Sequence, residues 1–173
     1  MTRVGSPTGI RLGWERSLGA GAARVRPEVQ VNQVAILYPV FVQVLLTGVV
    51  YLLLLTARAR AIRAAGSQRG SGDIAMGRFP WPEDAEKRAH SQRNQFELPV
   101  LFYAVTAFAM IVGAVDLTMV ALAWAFVASR IAHAAIHIGP NKVRWRGPLF
   151  ILGFLIVTAM WAKLFLDVAL RTT

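Results

Sequence analysis

Four long apolar runs, each of the length that crosses a bilayer as one helix, constrain this chain more than any other feature. The run over residues 34–56 carries no charge and ends in the basic cluster Arg58, Arg60 and Arg63. The second, over 96–115, has a single acid, Glu97, near its start. The third, Leu117–Ile138, holds Arg130, His133 and His137 in its last third. The fourth, over 148–170, meets charge only at Lys163 and Asp167, four apart and able to pair on one helix face. An all-α, four-span membrane bundle is the expected fold class. Composition agrees: 55% of the 173 residues are hydrophobic and 16% charged, where a soluble domain has about 25% charged. There is no cysteine, so no thiol of the chain's own can act as nucleophile, redox couple or metal ligand.

The remaining segments organise around these spans. Residues 1–33 are rich in Gly, Pro, Ser and Arg and read as a flexible basic extension, ahead of a transmembrane domain over 34–173. Residues 65–78 read as a Gly/Ser/Arg-rich loop. A helix is expected to resume near Pro82, followed by Glu83, Asp84 and Glu86. It is expected to run unbroken into the second span, kinked by Pro99. The net charge of +10 would point to nucleic acid in a soluble protein. In a chain this apolar it points to loops against an anionic leaflet, with membrane lipid and not nucleic acid as partner. Cations concentrate in the first and third loops, which places those loops in the cytoplasm and both termini outside.

Ionisable groups within spans cost about 2.5–3.5 kcal/mol each on insertion scales, so they are candidate functional residues. His90, Asn94 and Glu97 fall at i, i+4 and i+7 on one helix face, with Arg93 beside them. Arg130, His133 and His137 fall at i, i+3 and i+7 on another, and Arg146 enters at the same level. Together they predict one arginine-rich pocket with a carboxylate and a carboxamide, suited to an anionic, peptide-like ligand. The competing expectation for Glu97 and Arg130 is a structural ion pair between helices. For Arg144 and Lys142 it is snorkelling to the headgroups. His133 and His137 have a zinc-like spacing, but no third ligand of the right type lies near, so no metal is expected.

The stretch Arg93-Asn94-Gln95-Phe96-Glu97-Leu98-Pro99 resembles the N-x-x-E-x-x-P signature of the MAPEG family, membrane-associated proteins of eicosanoid and glutathione metabolism. Ser129 to His137 is similar to that family's R-x-x-H-x-x-x-Y segment, and Arg146 falls where enzymatic members carry a catalytic arginine. The resemblance covers about residues 34–170, and the segments RNQFELPVLFY and SRIAHAAIH look most like bacterial members. It implies a homotrimer with glutathione as co-substrate bound between subunits. Arg146 would hold the sulfur as thiolate; Arg130, Asn94 and Glu97, with Arg93, His133 and His137 around them, would bind the tripeptide. A hydrophobic electrophile or lipid hydroperoxide would arrive from the bilayer, as for a glutathione transferase or peroxidase. Two positions depart from the family pattern: His90 stands where arginine is usual, and His137 where tyrosine is common. The family also has a non-enzymatic, lipid-presenting branch, so a non-catalytic lipid- or ligand-binding protein is the alternative. A cation exporter is a third reading, but its acid should lie near the midplane. Sixteen arginines against three lysines suggest a GC-rich genome and, with the resemblance, a bacterial inner membrane.

Overall fold

A computed structural model describes residues 32–66, 71–139 and 143–171. The expected extension over 1–33 therefore lies outside the described residues, save for Asn32 and Gln33, and so does Lys142. Asn32 caps a short 3-10 turn, Gln33–Ile36, by accepting a hydrogen bond from the Val34 amide at 3.0 Å. The turn feeds α1 (Leu37–Ala65), where Pro39 sits in the first turn and its missing N–H removes no helical bond. At 1.5 Å per residue α1 is about 43 Å long, more than the ~30 Å hydrocarbon core, so it carries Arg58, Arg60 and Arg63 past the apolar layer.

Three boundaries differ from the sequence expectation, each for a local reason. The expected loop over 65–78 contains a short helix, α2 (Ser71–Ala75), closed by the Arg78 amide donating to the Asp73 carbonyl at 2.8 Å. The expected unbroken second helix is two helices, α3 (Glu83–Arg93) and α4 (Leu98–Ile111), separated by an unwound stretch at 94–97. Pro99 favours the break: it has no N–H to pair with the Gln95 carbonyl four residues earlier, so a continuous helix would lose that bond. Rather than kinking a continuous helix, Pro99 occupies the first turn of α4, and Glu97 stands at its N-cap with φ −94° and ψ −90°. The last helix, α6 (Val143–Arg171), begins ahead of Pro148 instead of at it. The third span, α5 (Leu117–Ile138), has the expected limits, set by Asp116, which accepts from the Met119 amide at 2.8 Å.

Among the described residues, four helical stretches are long and apolar enough to cross a membrane. α5 packs along α6 and also meets α1 and α3, while α4 lies on α6. Phe102, Val105, Met119, Phe126 and Met160 form the fully buried centre, where Phe102 and Phe126 stack at 4.6 Å. At the end away from the basic loops, Lys163 Nζ bridges Asp116 at 2.8 Å and Asp167 at 2.7 Å, tying α6 to the α4–α5 turn. Burial alone would raise the Asp116 carboxyl. The hydrogen bonds from Lys163 and from the Met119 amide outweigh it and hold the group below the ordinary carboxylate range. Arg171 closes the same end by donating to the carbonyls of Val112 and Gly113.

Gly153 sets the approach of α6 to α5. A Cβ there would lie 3.1 Å from Ser129 Oγ and 3.6 Å from Arg130 Cδ. Gly153→Leu should push the two helices apart directly over Arg130 and lower the melting temperature of the detergent-solubilised protein by several degrees, as overpacking of about 1–3 kcal/mol does. An unchanged melting temperature would show that the contact is slack.

Candidate functional site

The break at 94–97 is the structural origin of the site. α4 alone is about 21 Å long, too short for the ~30 Å apolar layer, so the unwound backbone lies within membrane depth. Irregular backbone at that depth is stable only where it is buried in protein or lines a polar cavity. Here it does both. The Asn94 carbonyl, released from helical pairing by the break, accepts a hydrogen bond from Arg130 Nη2 at 3.3 Å. Asn94 and Glu97 turn toward two adjoining clefts at the basic-loop end of the bundle. Phe96 turns the other way, into an apolar groove.

The larger polar cleft, about 410 Å³, is lined by Lys87, His90, Arg93, Asn94, Glu97, His137 and Arg146. Its neighbour, about 350 Å³, shares Asn94, Glu97 and Arg146 and adds His133, Gly147, Phe150 and Ile151. Three cationic side chains therefore face one carboxylate across the larger cleft, a field that favours an anionic ligand carrying one positive group. Of the residues singled out in the sequence, His90, Arg93, Asn94, Glu97, His133, His137 and Arg146 line these two cavities. Arg130 does not. It sits behind them, fully buried, with its guanidinium 5.8 Å from the Phe150 ring. Among the described residues its Nε and Nη1 have no hydrogen-bond partner, and Glu97 acts on it by charge without bonding to it. Arg144 points outward, over the ring of Trp145.

A hydrogen-bonded relay crosses the site from α6 to the cleft. His133 Nδ1 lies 3.1 Å from the Arg146 carbonyl oxygen. Asn94 Nδ2 lies 3.4 Å from His133 Nε2 and 3.3 Å from His137 Nδ1. The two imidazoles stand edge to face at 5.7 Å. Two features escaped the sequence reading. Lys87 is one turn before His90 and two turns before Asn94, so its place on the cleft face was legible from helical spacing. The fully buried Gln43–Gln95 pair, bonded at 3.0 Å between α1 and the break, gave no signal, because it depends on which helices meet.

On the other side of the break a groove of about 420 Å³ opens between α1 and α4, lined by Val44, Thr47, Gly48, Tyr51, Leu52, Phe96 and Tyr103. Within it the Tyr103 hydroxyl meets Thr47, whose own hydroxyl donates to the Gln43 carbonyl at 3.0 Å.

These features define a helical membrane protein whose broken second span builds a cation-rich cleft at one end of the bundle. The MAPEG family model matches residues 36–166, and the chain belongs to that family. It is thus a membrane protein of the family of eicosanoid and glutathione metabolism. No curated protein and no solved structure matched the chain.

Proposed function

We propose that the protein is a glutathione transferase or peroxidase acting on hydrophobic electrophiles or lipid hydroperoxides. The observation that carries this reading is the larger cleft, where Arg146, Arg93 and Lys87 surround a volume bordered by Asn94 and Glu97. The acceptors Asn94 and Glu97 suit the ammonium group of glutathione, and the arginines suit its carboxylates. Arg146 is the catalytic residue of this account. A free thiol has a pKa near 8.5, and an adjacent guanidinium favours its thiolate, which is the nucleophile. The thiolate attacks an electrophilic carbon, forming a carbon–sulfur bond as the leaving group departs or a ring opens. His133 and His137 complete the binding wall, and Arg130 is buried behind it.

Membership of the family supports a homotrimer with the cleft completed by a neighbouring subunit. The apolar groove offers a hydrophobic substrate a place on the bilayer side. On this account the basic loops face the cytoplasm of a bacterial inner membrane, and residues 1–33 are a flexible extension to the domain over 34–173. The test is turnover of glutathione by purified protein in lipid vesicles with a panel of electrophiles and lipid hydroperoxides. Conjugation or reduction is the expected result. Glutathione binding without thiolate formation or turnover across the panel would favour the non-catalytic, lipid- or ligand-binding alternative.

A further inference from the structure

The relay through Asn94 determines which hydrogen sits where. A backbone carbonyl can only accept, so His133 Nδ1, 3.1 Å from the Arg146 oxygen, must carry a hydrogen. In the neutral ring His133 Nε2 is then bare and can only accept, so the Asn94 group facing it must be the NH2. The same NH2 faces His137 Nδ1, which is therefore the bare nitrogen of that ring, and the hydrogen of His137 is on Nε2. Turning the Asn94 amide over would set its oxygen against His133 Nε2. That nitrogen would then need the hydrogen, and Nδ1 would be left bare against the Arg146 carbonyl.

We propose that the Arg146 carbonyl, acting through His133 and Asn94, fixes His137 as a neutral Nε2–H donor to the cleft and Asn94 as an oxygen acceptor toward it. The ligand polarity follows. Asn94 Oδ1, with the Glu97 carboxylate, receives an ammonium or amide N–H, while His137 donates to an anionic sulfur or oxygen. His133 is a positioning residue, acting on the ligand through Asn94 and the tautomer of His137, whereas Asn94 both sets that tautomer through Nδ2 and contacts the ligand through Oδ1. The assignment of the ligand as glutathione rests on the function proposed above, whereas the tautomers do not.

The test is long-range 1H–15N correlation spectroscopy of ligand-free protein with 15N-labelled histidine in detergent micelles. The expected pattern is Nδ1–H at His133 and Nε2–H at His137. In Asn94→Asp the carboxylate can only accept, so the His137 hydrogen should move to Nδ1. A His137 hydrogen on Nδ1 or a doubly protonated ring at either position in the wild type, or an unchanged His137 tautomer in Asn94→Asp, would overturn the proposal. A second arm measures glutathione affinity by calorimetry. His137→Phe should weaken binding about tenfold or more, the effect of losing a hydrogen bond to a charged group. His137→Gln, which restores an N–H donor, should recover most of that loss. Equal affinity in the two variants would overturn the donor role. If the wild type binds no glutathione, the transferase reading fails, and the histidine spectra still decide this proposal.

Discussion

Arg146→Ala should lose most of the turnover, on the order of a hundredfold, while glutathione affinity falls far less. Arg146 lines both polar clefts, which puts its charge beside any ligand held by Asn94 and Glu97. Its removal withdraws a stabiliser of the thiolate, whereas the acceptors and the remaining cations still hold the tripeptide. The control is Arg144→Ala. Arg144 is two residues away on the same helix, exposed, with its guanidinium 5.3 Å from the Trp145 ring. Its loss should change turnover little. Equal losses in the two variants would point to damage at the start of α6 and not to a role at the sulfur.

Arg130→Leu should separate stability from binding. The Arg130 guanidinium is fully buried and, among the described residues, bonds the Asn94 carbonyl alone and leaves Nε and Nη1 unpartnered. A buried cation satisfied this poorly is costly, and replacing such a group with an apolar side chain is often neutral or stabilising by about 1–4 kcal/mol. In the ligand-free protein the leucine variant should therefore melt at or above the wild-type temperature. Glutathione binding should fall about a hundredfold or more, because the charge behind the cleft is gone and the Asn94 carbonyl loses its anchor. A variant that melts far below the wild type would make Arg130 a structural ion, the competing expectation for this residue and Glu97.

The fold was largely legible because a bilayer leaves few alternatives. Apolar length located the four spans, and Asp116 ahead of an apolar run set the start of α5 where it was expected. The second span was legible in position but not in form. Pro99 was visible, yet a proline at this place can either bend a helix or begin a new one. The choice depends on whether partners exist for the freed backbone, here the Arg130 side chain from α5. Helical spacing also grouped the cleft residues, since Asn94 and Glu97 converge on it from the break as they would from a continuous face. Spacing could not distinguish the residue behind the wall from those lining it, so Arg130 was expected in the pocket and lies beneath it. Nor could it order the chain of Arg146 carbonyl, His133, Asn94 and His137, which exists only once α5, α6 and the break meet.

The central claim is that this cleft binds glutathione and holds its sulfur as thiolate beside Arg146. Ultraviolet difference spectroscopy of the purified protein titrated with glutathione at neutral pH tests it most directly. A saturable thiolate absorbance is expected, abolished in Arg146→Ala and retained in Arg144→Ala. A wild-type protein that shows no thiolate absorbance at saturating glutathione, or one whose signal survives in Arg146→Ala, would contradict it.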